Sequence, residues 1–400
     1  MRNWKKTRSK QTMSKLQELI KQHCPNGVEY KKLGELISIY TGVQFNKRDM
    51  NEQGMYPVIN GGINPSGFVD NYNEEASTIT VSQGGASAGY VAWQYQPFWA
   101  GAHCFVVKII SDKLLNRYLF FFLKNQEFLL QQMQHGAGIP ALNRDRIRNL
   151  EIPVPPLEVQ EEIVKILDRF SEYAAELQAE LQARREQYEY YRDKLLSFNK
   201  IGGVLWLTMN EIGTFIRGNG LQKKDFTESG FPCIHYGQIH THYGTFASET
   251  ISFTSQKYAE QLKKAQYGDL IIATTSEDVD GCCKAVAWLG HSEVAISGDA
   301  YIFHHKQNPK YISYLFQTDL FANYKRTAYT GTKVIRVSSE RMGKFALPIP
   351  PLAEQERIVG ILDKFETLVN DLSEGLPSEI AAVGEQYEYY RNKLLTFPRA

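Results

Sequence analysis

The 400-residue chain lacks any apolar run approaching the roughly 20 residues of a membrane-spanning helix, so it reads as soluble and globular, with room for two or three domains. It also lacks a secretory leader: Met1 to Lys10 is basic, but no apolar stretch follows. Residues 1–12 read as an N-terminal extension, and the expected compartment is the cytoplasm. The five cysteines, Cys24, Cys104, Cys233, Cys282 and Cys283, are odd in number and form no CxxC pair, which argues against a disulfide framework or a zinc knuckle. Neither His240-x-His242 nor Cys282-Cys283 has further ligands at metal-site spacing, so no metal is expected. Surplus positive charge is missing too. At +1 the chain has few spare cations to offer phosphates, and any hold on nucleic acid is expected to need a partner.

Catalytic signatures are equally absent. No GxxxxGK(S/T) occurs, which removes a phosphate-cradling loop of that type. The (N/D)PP(Y/F) tetrad with which adenine methyltransferases hold a flipped base is missing as well. The two Pro-Pro pairs, Pro155-Pro156 and Pro350-Pro351, follow Val and Ile and precede Leu. They suit helix starts. Gly84-Gly85-Ala86-Ser87-Ala88-Gly89 is a glycine loop without the context of a nucleotide site.

What the chain does contain is a long stretch written twice. Ile152 to Phe198 opens IPVPPLEVQEEIVKILDRF and closes EQYEYYRDKLLSF; Leu347 to Phe397 opens LPIPPLAEQERIVGILDKF and closes EQYEYYRNKLLTF. In the first copy apolar residues from Ile163 through Leu167, Phe170, Leu181 and Tyr188 to Phe198 are spaced alternately by four and three, a heptad seam interrupted only by Arg184. The second copy has two successive steps of four around Leu376 and Ile380, a stutter, with Gly375 and Pro377 predicting a kink or break there. Matching seams predict that the two helices pack on one another. The alternative is that each covers only its own domain.

The regions before each helix also echo each other. Residues 13–30 read as a short amphipathic helix and a turn; Val28 to about Leu150 reads as twisted β structure with a helix near Asp112–Gln134 and a loop from Gly136 to Asn143. Trp206 to Gly213 echoes Tyr30 to Ile37, and residues 222–234 echo 45–59. Val91-Ala92-Trp93 matches Val286-Ala287-Trp288, Gly136 matches Gly331 and Pro155 matches Pro350, each with an offset of 195 positions, as internal duplication requires. The loops differ: Gln83 to Gly89 has no counterpart in Thr275 to Gly281. A shared frame with different loops is what two modules reading different targets need. Paired antiparallel, the helices would make an intramolecular pseudo-dimer, and about 40 helical residues span about 60 Å.

With its repeated helix sequences, the SEGLPSEI segment at 373–380 and the two globules, the chain resembles the specificity (S) subunit of type I restriction-modification systems over nearly all of residues 13–400. The fold this implies is α+β: two β-rich target-recognition domains separated by two long antiparallel coiled-coil helices, with internal pseudo-twofold symmetry. The boundaries read as target-recognition domains at 13–151 and 201–346, with helices at 152–200 and 347–400. The resemblance implies a non-catalytic subunit whose two domains each read half of a bipartite, gapped double-stranded DNA site while the helices set the gap. It also implies two modification subunits using S-adenosylmethionine and restriction subunits using ATP and Mg, with no cofactor in this chain. The rival readings are a DNA-modifying enzyme with an unrecognised active site and a coiled-coil scaffold that binds no DNA.

Within that frame, Lys47-Arg48 and Lys223-Lys224 occupy corresponding places and suit phosphate contact; solvated turns are the plain alternative. Ser82-Gln83 and Thr275-Ser276-Glu277 end apparent strands at matching places, where Gln suits adenine and Glu suits the cytosine amino group. Ser87 in the glycine loop is a DNA-facing candidate, and Lys333, Arg336, Arg144 and Arg146 are further phosphate candidates, the two last also readable as ordinary helix-surface charges. Tyr190 and Tyr389 fall outside the seam in both copies and are candidates for a partner surface, or for covering the base of a globule.

Overall fold

The computed structural model describes residues 15–134, 140–198, 203–370 and 375–400. The extension at 1–12, Gly136 and the beginning of the 373–380 segment lie outside them. The chain divides into two compact units, Met1–Gln178 with Glu379–Ala400, and Ala179–Ser378. Each unit thus holds one globule, the front half of one repeated helix and the back half of the other.

In the first unit Tyr30–Lys32 pairs with Glu151–Pro153, closing the globule at its root. A four-stranded sheet runs in the order Ile37–Thr41, Cys104–Ile109, Thr78–Ser82, Val91–Gln94. Because successive side chains alternate between faces, Ile79, Val81, Phe105 and Val107 turn to one side, where they form a core with Tyr118 and Leu119 of the helix Asn116–Asn125 and with Ile163 and Leu167 of the first long helix. Cys104 and Val106 turn the other way and meet Phe98, Ala100 and Ile59 of a small second sheet. The helix expected near Asp112–Gln134 is in fact two, Asn116–Asn125 and Glu127–Gln132, with Gln126 departing from helical geometry between them. The break serves the sheet. Glu127 accepts a hydrogen bond from Val91 N at 2.8 Å and Lys124 donates to Val91 O at 3.0 Å, so part of the edge strand's free backbone is capped by side chains.

The second unit repeats the order with Gly213–Arg217, Ala300–His305, Leu270–Ala273 and Ala285–Trp288, and adds Phe246–Ala247 parallel to the last. Phe231–Ile234 runs parallel to Val294–Ile296, as Tyr56–Ile59 does to Trp99–Ala100 in the first unit. Equivalent hydrogen bonds fix the alignment. Gly42 N donates to Cys104 O and Gly218 N to Ala300 O, both at 3.0 Å; Gln83 N donates to His103 O and Thr274 N to Asp299 O, both at 2.9 Å. A Cβ at Gly42 would stand 2.1 Å from Ala100 O, and one at Gly218 2.2 Å from Ser297 O, so both crossings require glycine.

This alignment corrects the sequence match at Val91-Ala92-Trp93. Thr80 pairs with both Ala92 and Val106, and its equivalent Ile271 pairs with both Val286 and Ile302, so Ala92 corresponds to Val286 rather than Ala287. A slip of one residue exchanges the faces of a strand. Trp93 accordingly packs toward the helix, edge-on to Phe120 at 5.6 Å, whereas Trp288 is buried in the core between the sheets.

The first long helix is continuous from Leu157 to Leu196. Its seam residues Ile163, Leu167, Leu177, Leu181 and Tyr188 are buried, while Tyr191 keeps more than a third of its surface exposed. The second copy is two helices, Leu352–Asn370 and Leu376–Leu394, with Pro377 in the first turn of the latter, where the stutter and the Gly375–Pro377 pair predict a break. In the first unit Phe170 stacks on Tyr390 at 5.4 Å and lies 6.5 Å from Tyr387, while Tyr173 donates to Glu379 at 2.6 Å, so the helix segments there run antiparallel. In the second unit Tyr191 stacks on Phe365 at 5.9 Å, the same aromatic pair with the copies exchanged.

One buried glutamine per unit ties helix to globule. Gln160 Oε1 accepts from Leu115 N at 2.9 Å, and its Nε2 donates to Lys113 O at 2.8 Å and to Pro155 O at 2.7 Å. Gln355 Oε1 accepts from Asn308 N at 3.0 Å, and its Nε2 donates to Pro350 O and Gln307 Oε1, both at 2.8 Å. Truncation would leave buried backbone groups unpaired. Gln160→Ala is expected to cost about 3 kcal/mol, measured as a lowered midpoint in chemical denaturation; a shift below about 0.5 kcal/mol would show the clamp to be dispensable.

Candidate nucleic-acid interface

Both units carry an edge at which a loop after the central strand meets the segment leading back to the long helix. In the first, Gly84 bridges Ala141, Gly85 N donates to Pro140 O at 2.9 Å, and Leu142 N donates to Gln83 O at 2.7 Å. In the second, Thr275–Ser276 pairs with Ile335–Arg336, with Thr275 opposite Arg336. The alignment makes Gly84 the equivalent of Thr275, so Ser82-Gln83 corresponds to Ala273-Thr274 and the expected strand-end match is displaced by two residues.

The displacement changes the candidates. Ser82 is only 5% exposed and donates its hydroxyl to Gly61 O at 2.6 Å, so it tethers a neighbouring loop and does not reach out to a base. Thr275 is likewise buried, with no hydrogen-bond partner for Oγ1 among the described residues. Gln83, Ser87 and Ser276 are half-buried, and Glu277 is exposed. The structure therefore places Gln83 and Ser87 in the loop whose start bridges Pro140–Leu142 in one unit, and Ser276 and Glu277 at the strand that pairs with Ile335–Arg336 in the other, where Lys333 and Arg336 are exposed. Arg144 and Arg146 stand exposed on the short helix Arg144–Arg148, which continues from the first edge, is capped by Asn143 and is anchored by buried Ile147.

Lys47-Arg48 and Lys223-Lys224 occupy equivalent exposed 3-10 turns, Lys47–Asp49 and Lys223–Asp225. Among the described residues no hydrogen bond or ion pair joins them to the edges; Arg48 pairs with Asp49 at 3.6 Å. Burial, followed by the nearby charge of Lys223, holds His235 below the ordinary histidine range. Its neutral ring accepts from Gly237 N through Nδ1 at 3.2 Å.

Several residues at the edges escape a reading from sequence. Asn60 Oδ1 accepts from His103 N at 2.9 Å, placing Asn60 and exposed His103 beside Gln83. His240 Nε2 lies 2.9 Å from Thr275 O, and exposed Arg217 donates to Gly298 O at 2.9 Å. The usable signal for Asn60 was the Asn60-Gly61-Gly62 turn after a strand; the others depend on pairing across long sequence separations. The loop beyond Glu277 is pinned by buried Lys325, which donates to Asp280 O at 2.7 Å and Cys282 O at 3.0 Å, burial holding its ammonium below the usual lysine range.

On the helices, Tyr190 is 60% and Tyr389 58% exposed. Each meets the next tyrosine edge-on at 5.3 Å, with a lysine one turn on, Lys194 or Lys393, 5.6 Å from its ring. The same outward surface is thus built twice. Among the described residues no group of three or more His, Cys, Asp and Glu side chains is placed to hold a metal, and no helix is long and apolar enough to cross a membrane.

Two modules of one architecture, presenting different loops at the same edge and joined by a repeated helix, define a sequence-recognition protein. The family model for the type I restriction modification DNA specificity domain matches residues 25–186 and again 206–382. A Haemophilus influenzae protein assigned as a type I restriction enzyme specificity subunit is 31% identical over 92% of this chain and 96% of its own length. The EcoR124I/EcoR124II specificity subunit of Escherichia coli is 29% identical over 93% of this chain and 95% of its own. The crystal structure of a type I S subunit from M. genitalium shares the fold, with a TM-score of 0.58 over 93% of this chain and 97% of that one at 18% identity. The chain belongs to the type I restriction-modification specificity-subunit family, and its role is that of the non-catalytic, DNA-recognising component.

Proposed function

We propose that the two globules, 13–151 and 201–346, are target-recognition domains that each read one half of a bipartite, gapped site in double-stranded DNA. The observation that carries this is the equivalence of the two edges: one frame, with Gln83 and Ser87 at the first and Ser276 and Glu277 at the second. Arg144, Arg146, Lys333, Arg336 and the basic pairs Lys47-Arg48 and Lys223-Lys224 supply phosphate contacts that set register without reading sequence. The helical segments 152–200 and 347–400 set the gap. Their outward Tyr190 and Tyr389 dock two modification subunits, since exposed aromatics supply much of the energy of an interface. Those subunits bring S-adenosylmethionine and methylate adenine N6; restriction subunits bring ATP and Mg, and the assembly works in the cytoplasm. A net charge of +1 fits a chain that holds DNA tightly only within such an assembly.

The test is to map N6-methyladenine in host DNA with and without this gene. One gapped, two-part motif is expected to disappear with the gene; an unchanged set of motifs would overturn the reading.

A further inference from the structure

The duplication lets each unit serve as a control for the other, and between the sheets they differ. In the second unit Ile271, Ala273, Val286 and Trp288 face the small sheet and are buried in a continuous apolar core with Ile234 and Ile296. The equivalent places in the first unit, fixed by the strand registers, are Thr80, Ser82, Ala92 and Gln94. Where one copy is filled by an indole and an isoleucine, the other has an amide and a hydroxyl. The result is an open cleft of about 620 Å³, walled on the opposite side by Pro57, Ile59 and Phe68.

Its chemistry is selective. None of the residues lining the cleft is Asp, Glu, Lys, Arg or His, although such groups are abundant elsewhere on the chain. The polar groups are neutral: Gln94 donates Nε2 to Thr80 Oγ1 at 2.8 Å, and Gln96 makes no hydrogen bond among the described residues. Tyr95, 76% exposed, and Phe68 stand at its rim, whereas the ring of Trp93 is turned to Phe120 and Arg117 on the helix side. A cleft without charge offers no hold on a phosphate or a carboxylate, whereas aromatic faces with amide donors and acceptors match a flat, neutral heterocycle with hydrogen-bonding edges. The cleft also borders the candidate DNA edge, since Asn60 and Ser82 line it and are bonded to His103 N and Gly61 O respectively.

We infer that the inter-sheet cleft of the first unit binds a nucleobase, either of a free nucleoside or of a nucleotide turned out of bound DNA. The second source rests on the DNA-reading role; the first does not. The full chain is titrated with adenosine, guanosine, cytidine and thymidine by ligand-observed NMR, alongside the Thr80→Ile/Gln94→Trp variant, which imports the second unit's residues. At least one nucleoside is expected to bind, with affinity lowered roughly tenfold or more in the variant. An unshifted or raised Tm shows that the variant is folded; if it is not, Ala92→Val, also taken from the second unit, takes its place. Absence of binding by all four nucleosides, or equal binding by a folded variant, overturns the inference without touching the DNA-reading role. A duplex carrying 2-aminopurine, at protein concentrations where gel retardation shows it bound by both the natural chain and the variant, then assigns the source. Fluorescence that rises with the natural chain but not with the variant identifies an extrahelical base, and an unchanged signal identifies a free nucleoside as the ligand.

Discussion

Exchanging residues 28–150 for the same region of another specificity subunit is expected to replace one half of the methylated motif and leave the other half and the gap unchanged. The first edge, from Gln83 through Ser87 and back along Pro140 to Arg146, lies wholly inside that span. The joints it must re-form are backbone pairings, side-chain hydrogen bonds and the apolar packing against Ile163 and Leu167. Tyr30–Lys32 meets Glu151–Pro153 by strand pairing, and Gln160 holds the main chain at Lys113 and Leu115. The side-chain joints include Arg117 to Asp168 at 2.7 Å, the Tyr118 hydroxyl to Pro153 O at 3.1 Å, the Tyr30 hydroxyl to Phe397 O at 2.8 Å and Arg391 to Asn125 Oδ1 at 3.0 Å, so a donor region with Arg, Tyr, Tyr and Asn at those places is the one to use. Because each wrong base pair costs about 1–3 kcal/mol, a change of half-site removes methylation at the old motif outright. Methylation-sensitive sequencing reads the outcome. Changes in both halves, from a folded hybrid, would show that the two units do not read independently.

The repeated helices were legible in the sequence because their information is local: Pro-Pro starts, heptad spacing and a four-residue stutter are all visible along one strand of text, and the helices lie where they predict. The β modules were legible as a class and less so in register. Val91-Ala92-Trp93 and Val286-Ala287-Trp288 are identical words set one residue apart in the sheet, because register is decided by partners about 10 to 30 residues away, which no linear comparison sees. The same cause misplaced Ser82, which ends a strand but is buried, and Thr275, which opens the next short strand and is buried too. Lys333, Arg336, Arg144 and Arg146 are exposed, as their charge demands of any surface position. The glutamine clamps were invisible as such: Gln160 and Gln355 sit among charged residues in the text, and only the distant backbone groups they satisfy explain their burial.

Inserting four residues after Leu181 is expected to leave both half-sites intact and change the spacing between them. Leu181 lies in the uninterrupted helix Leu157–Leu196, outside the segments that build either recognition edge. Four residues add about 6 Å of rise and about 40° beyond one full turn. The second copy already carries such a step beside Leu376, so the apolar seam accepts the insertion as a second stutter, and the helix survives. The aromatic stacks Phe170 on Tyr390 and Tyr191 on Phe365 flank the insertion point and should re-form on either side of it, because each belongs to a different unit. One base pair advances about 3.4 Å, so the methylated motif should keep its two halves with a gap altered by one or two base pairs. If the insertion variant is folded and methylates with the original gap, the helices do not set the spacing, and the modification subunits must hold the two readers apart instead.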